Sequence, residues 1–287
     1  MTHLSENFEI RIKPSTGWWH IDWREIWRYR DLIHLLVMRD FSARYSQSVL
    51  GPVWFVLQPL LTTIIFTIVF GHIAQIPTGG TPPMLFYLCN QLGWGYFSSC
   101  FGNTSGTLLA NQGLFSKVYF PRLVVPFAGL ISNLIPVCIQ LCSFLAFWTW
   151  LKFSSAGLPA TFHFTSWLAL LPLAFVQLAL LALGLGLCMS AVTAKYRDLA
   201  QLSGVMIQLW MYATPVIYPL SQVPEQWRWL AECNPVSLSI EVLRLGLLGS
   251  GVVTPGLIVG SFVGTTAAIV MGLALFSKVK KTFIDFV

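Results

Sequence analysis

Charge is what this sequence has least of. Asp, Glu, Lys and Arg make up 10% of its 287 residues, against about 25% in an average soluble domain. A water-soluble fold of this length could not cover its surface with so few charges. With 55% hydrophobic residues and a mean hydropathy of +0.69, the chain reads as an integral membrane protein.

Several signatures are missing as well. There is no GxxxxGK[ST] loop, so the chain is not expected to cradle ATP phosphates itself. HExxH, GxSxG and paired-carboxylate patterns are absent, and the five histidines lie far apart, so neither a catalytic set nor a metal site is expected. The six cysteines (Cys89, Cys100, Cys138, Cys142, Cys188 and Cys233) show no CxxC spacing. Most sit in apolar runs, where a thiol behaves as a small hydrophobe. Residues 1–17 carry Glu6 and Glu9 and no apolar stretch, unlike a removable signal peptide. The formal charge of +6 is spread between apolar segments rather than along one face, which excludes nucleic acid as a partner. No Asp, Glu, Lys or Arg falls within the first, third, fourth, fifth or sixth apolar segment. Intramembrane charges usually mark ion or proton coupling, so energy for any transport must come from elsewhere.

What is present is a series of apolar segments of about 20 residues, the length that crosses a bilayer as a helix. Six are predicted, over 50–72, 84–110, 123–151, 165–192, 199–219 and 255–277. The loops sort by charge. Arg11, Lys13, Arg24, Arg28, Arg30, Arg39 and Arg44 precede the first span. Lys117 and Arg122 follow the second, Lys195 and Arg197 the fourth, and Lys278, Lys280 and Lys281 the last. Only Lys152, Arg228 and Arg244 fall on the other side. The positive-inside rule then places both termini in the cytoplasm.

Between residues 18 and 37, Trp19, Trp23, Ile26, Trp27, Ile33 and Val37 recur at helical spacing, with His20, Arg24, Arg28 and Asp31 opposite. This predicts an amphipathic helix lying in the membrane interface. Residues 220–253 mix prolines with Glu225, Arg228, Glu232, Glu241 and Arg244, in stretches too short to span. They read as short external helices that dip and return, a gate or vestibule. On the second span Gln91, Gly95, Ser98, Gly102 and Ser105 share a face, which leans toward a pore lining although small residues also serve helix packing. Aromatics crowd this span (Tyr87, Trp94, Tyr96, Phe97) and the fifth (Trp210, Tyr212, Tyr218). Interfacial anchoring accounts for most aromatics; stacking on sugar rings is the sharper expectation for these.

The stretches "LLVMRDFSARYSQSVLGPVWFVLQPLLTTIIFTIVFG", "NQGLFSKVYFPRLVVPFAGLISNLI", "GLGLCMSAVTAKYRDLAQL" and "QLWMYATPVIYPLSQVPEQWRWLAECNPVSLSIEVLR" resemble the ABC-2 type polysaccharide-export permeases over about residues 32–280. These are the membrane subunits of O-antigen, capsule and teichoic-acid exporters. The resemblance implies an all-α integral membrane protein of the type V ABC exporter fold: six transmembrane helices, an N-terminal amphipathic interface helix and a homodimer. It implies a separate ABC ATPase chain, to which ATP and Mg would belong, with no cofactor in this chain. It also implies the division of the chain: an extension over 1–17 with no counterpart, the cytoplasmic interface helix over 18–45, and the transmembrane domain over 46–287.

Within that domain the segment 111–122 would be the coupling helix, with Lys117, Tyr119, Phe120, Pro121 and Arg122 touching the ATPase. Lys195, Tyr196, Arg197 and Asp198 would form a second contact. The junction Arg39, Asp40, Arg44 and Tyr45 would carry force into the first span. The segment 220–250 would hold the external gate, with Glu225, Trp227, Arg228, Trp229, Glu232 and Arg244. The resemblance also implies that the first, second and fifth spans line the channel. The expected function is export of a lipid-linked polysaccharide across the cytoplasmic (inner) membrane. An ABC-2 permease for a lipid or small drug is the alternative. A membrane glycosyltransferase would need charged clusters facing a cavity, and a passive channel would not need a coupling helix.

Overall fold

The computed structural model describes residues 23–45, 51–115, 117–118, 120–154 and 165–282. The extension 1–17, the start of the interface helix and Tyr119 lie outside the described residues. Among the described residues all regular structure is helical, in the order α1 (Trp23–Arg28), α2 (Arg30–Tyr45), α3 (Trp54–Phe66), α4 (Pro83–Ser105), α5 (Thr107–Ala110), α6 (Gln112–Phe115), α7 (Val124–Ser132), α8 (Leu134–Phe153), α9 (Leu171–Lys195), α10 (Leu199–Ala213), α11 (Glu225–Cys233), α12 (Ser237–Leu248) and α13 (Pro255–Thr282). A π-helix, Thr67–Ile73, extends α3.

Among the described residues four segments are long and apolar enough to cross a membrane: Trp54–Ile73, Val124–Phe153, Ser166–Lys195 and Pro255–Val279. They coincide with the first, third, fourth and sixth expected spans. The second, α4, has 23 residues and so runs about 34 Å, but its amides, hydroxyls and glycines make it less apolar than the others. The fifth is shorter than expected. A helix over 199–219 was predicted, yet α10 stops at Ala213 after 15 residues, about 22 Å, less than the roughly 30 Å of a hydrocarbon core. Pro215 is the reason. A residue before proline is driven out of the helical region, and Thr214 is extended (φ −100°, ψ 143°).

Prolines place the other breaks too. Pro136 cannot donate to the Ser132 carbonyl, and its ring crowds that carbonyl; α7 ends at Ser132, and α8 begins two residues on. Before Pro224 and Pro235, Val223 and Asn234 are extended, which separates α11 from its neighbours. Gly249 closes α12 in the left-handed conformation (φ 66°) and donates its N–H to Leu245, as expected for a helix C-terminus.

The centre of the bundle is α4, which packs against α9, α8, α3, α12 and α10. In lipid the hydrophobic effect gives helices little reason to associate, so close contact and hydrogen bonds must do so. The most extensive contact, α9 on α13, shows how. Gly184 and Gly272 meet backbone to backbone: a Cβ on Gly184 would lie 2.5 Å from the Ala268 carbonyl carbon, and one on Gly272 would strike the Gly184 carbonyl oxygen. The two helices run in the same direction. Lys195 and Lys278 lie comparably far beyond this crossing, so the structure brings these two cationic tips to one end of the bundle. Helix α10 differs from every other long helix in having no buried residue.

Candidate coupling end and candidate gate end

At the end where α4, α9 and α13 finish, α2 lies against α7. Leu36, 5% exposed, packs with Phe120, Val124, Val125 and Ala128, and Tyr29, Leu32, Ile33 and Val37 flank them. The helix before the first span is thus joined to the segment predicted to couple. Of the expected apolar stripe, Ile26, Ile33 and Val37 are covered, while Trp27 is exposed. The segment itself is built around rings: Phe115 and Phe120 lie 5.5 Å apart, and the Arg122 guanidinium sits 5.8 Å from the Phe115 centroid. Phe120 and Arg122 are buried, Pro121 is half-buried, and Lys117 is exposed.

Charges on α2 stay at the surface. Arg39 donates to Asp40 at 2.8 Å, both near solvent; Arg44 and Tyr45 belong to α2, but their side chains lie outside the described residues. Lys195, Tyr196, Arg197 and Asp198 are all exposed, with the Lys195 ammonium 5.2 Å from the Tyr196 ring centroid. The tips of α4 and α9 are tied to each other: Thr193 donates to the Ser105 carbonyl at 3.3 Å, and the Leu108 N–H to Ser190 at 3.4 Å. The structure therefore gathers the elements expected to touch an ATPase at one end and leaves Lys117, Lys195 and Arg197 exposed, while Arg122, expected among the contacts, is buried against Phe115.

The opposite end is closed by side chains. The break after α10, residues 214–220, has lost its helical hydrogen bonds, and groups from other elements replace them. Asn234 donates to Thr214 at 2.9 Å and accepts from the Trp210 indole at 3.2 Å. Arg244 donates to the Pro215 carbonyl at 2.8 Å. Asn90 of α4 donates to the Val216 carbonyl at 2.7 Å. Irregular backbone at membrane depth is tolerated only when protein satisfies it in this way.

Arg244, expected in the gate segment, is buried there. It is 1% exposed, bonded to Glu241 at 2.5 Å and lying 5.1 Å from the Phe86 centroid. A helix that follows two prolines reads as a surface cap, but α12 tucks between α4, α9 and the turn at 165–170. Glu241 also accepts from the N–H groups of Val252, at 3.0 Å, and Leu220. Burial pushes the Glu241 carboxyl above its ordinary value, while Arg244 and those two amides pull it back. The remaining gate residues are nearer the surface: Glu225, Trp227 and Trp229 are exposed, and Arg228 pairs with Glu232 at 3.5 Å, which accepts from Thr254 at 3.0 Å.

The aromatics expected to line a channel divide. Tyr87, Trp94, Tyr96 and Phe97 are buried among helices of this chain. Tyr96 donates to the Leu130 carbonyl at 3.3 Å, and Phe97 meets Trp210 edge-on at 5.3 Å. In this conformation they are packing residues, because a ring facing inward has no face left for a sugar. Tyr212 is half-exposed, and Tyr218 donates to its carbonyl at 3.2 Å. The open face of α4 is the small and polar one: Gln91, Gly95, Ser98, Gly102 and Asn103 are all only partly covered or exposed, whereas Ser105 is buried. Sequence reasoning missed Asn234 and Glu241 as structural hubs. The only signal was a polar residue beside Pro235 and a carboxylate one helical turn before Arg244.

An apolar groove of about 320 Å³ runs between α9, α12 and α13, walled by Trp167, Leu173, Val242, Val253 and Phe262, with Gln177 and Thr265 as its polar points. Among the described residues no group of three or more His, Cys, Asp or Glu side chains comes together.

The profile of the ABC-2 type transporter membrane family matches residues 31–248. Over 257 residues the chain is 26% identical to the O-antigen export system permease protein RfbA of Klebsiella pneumoniae, covering 89% of this chain and 94% of that one. It is 28% identical to the protein of the same name from Myxococcus xanthus over 207 residues, 71% and 74% of the two chains. It is 26% identical to the polysialic acid transport protein KpsM of Escherichia coli over 226 residues, 77% and 84% of the two.

Proposed function

Because the chain belongs to the ABC-2 type transporter membrane family, we propose that it is the permease subunit of an ATP-driven exporter that moves a lipid-linked polysaccharide outward across the cytoplasmic membrane. The relatives named for O-antigen export and polysialic acid transport support this substrate class. In this reading α4 and α10 complete six spans, α10 continuing through the break at 214–220. The α1–α2 segment lies in the inner interface, and both termini are cytoplasmic. Two copies pair so that the polar face of α4 and the uncovered α10 enclose a conduit.

One observation carries the reading: α2, the segment ending at the buried Arg122, and the tip of α9 are gathered at a single end, with Lys117, Lys195 and Arg197 exposed there. That is the surface a separate ATPase needs. Nucleotide-driven closure of the ATPase pair would push on this end, and α2 would pass the displacement to α7 and the first span. ATP and Mg would be held by the ATPase, not by this chain.

The test is reconstitution with the cognate ATPase in proteoliposomes loaded with lipid-linked polysaccharide. Export should depend on ATP and should fall when Lys117 and Arg197 are both replaced by Ala in a normally assembled complex. Unchanged export by that variant removes the coupling assignment; absence of any polysaccharide transfer by the wild type removes the substrate. A second reading, export of a lipid or small drug, draws on the apolar groove between α9, α12 and α13. Transfer of a short lipid without its glycan in the same assay would favour it.

A further inference from the structure

The export reading leaves the buried ion pair of α12 without a task. Glu241 and Arg244 are each about 1% exposed. Removing two charges from water costs several kcal/mol per ion, so replacing such a pair by apolar side chains is often neutral or stabilising. The attraction between the two charges is therefore not what stability calls for here; their hydrogen bonds to broken backbone are. What the charges provide, and apolar side chains cannot, is direction. Arg244 reaches the Pro215 carbonyl, and Glu241 reaches the amides of Leu220 and Val252. These three groups lie at the start of the break after α10, at its end, and in the loop leading to α13.

Resting on the export reading, we propose that Glu241 and Arg244 are positioning residues that clamp the break at 214–220 to α12 and the 249–254 loop. The gate-end tip of α10 and α12 then move as one body during transport. The break cannot swing away alone without taking the Pro215 carbonyl from Arg244 and the Leu220 N–H from Glu241, and buried polar groups left without partners are unfavourable. Arg228–Glu232, on α11, is half-exposed and can open at little cost. The clamp thus marks which part of the gate travels with the channel helix and which part can move separately.

The test uses the assembled complex with two variants. Glu241→Leu/Arg244→Met keeps the volume and removes the directed bonds; Arg244→Lys keeps the charge and removes the reach. Amide hydrogen exchange is followed at 214–222 and 249–254, and export is measured per ATP hydrolysed. In the wild type the two segments should lose protection together. In the double variant both should exchange faster by about tenfold and no longer together, with ATP hydrolysis retained and export per ATP reduced. Arg244→Lys should show the same effects more weakly. Wild-type protection of both segments, or wild-type export per ATP in a well-folded variant, overturns the proposal. If the wild-type complex moves no polysaccharide, the export reading fails, and the exchange data still decide the clamp.

Discussion

The two ends of this bundle are built by opposite means. At the gate end Asn90, Asn234, Glu241 and Arg244 turn inward, and nearly every polar group of a broken helix is answered from within the chain. At the coupling end Arg39, Lys117, Lys195 and Arg197 point outward, and the interior is held by apolar contacts among Leu36, Phe120 and Val124. One end is finished by its own residues. The other leaves its charges at the surface. Substitutions should therefore separate stability from activity according to the end they touch.

The largest effect is expected at the gate. Glu241→Ala leaves Arg244 buried without its carboxylate and should cost about 3–5 kcal/mol, seen as a lower unfolding midpoint and reduced yield of folded chain. A midpoint equal to wild type would mean that water reaches the pair. Next is Leu36→Ala, which opens the contact between α2 and α7 and should cost about 2–3 kcal/mol. It should also weaken ATPase stimulation in the complex, because α2 is the lever there; a loss of stability with normal stimulation would reduce α2 to an anchor. Asn234→Ala removes four side-chain hydrogen bonds, with Trp210, Ala213, Thr214 and Val236, and should cost about 1–2 kcal/mol, read by thermal unfolding and by loss of protection at 213–216. The smallest stability effect belongs to Lys117→Ala. Its midpoint should not move, while ATP-driven export falls. If the midpoint shifts and export does not, the contrast between the ends is reversed.

Much of the bundle could be read from the order of the residues. The segments ending at Ile73, Phe153, Lys195 and Val279 are uncharged runs bounded by charge or proline, and both features act locally. The cationic segments beside the spans could be marked for the same reason, since charge stops an apolar run. The fifth helix was read too long because its apolar run continues through Val216 and Ile217, although Pro215 had already ended it. The burial of Arg244 could not be read because its partners are Glu241, Pro215 and Phe86, and only folding brings the last two to it. The aromatics of α4 were assigned a sugar-facing role from composition. Which face of a helix is covered depends on α8, α9 and α12, which the sequence of α4 does not contain.

The empty face of α10 has a consequence for the thermodynamics of the whole chain. No side chain on this helix is fully buried and only Ile207, Trp210 and Met211 pack against the core, so much of the free energy of seating it depends on what surrounds it, lipid or protein. Folding and association then become linked equilibria, and the midpoint measured for the protein becomes a function of its density in the bilayer. Diluting the chain into excess lipid should release α10 before any other long helix.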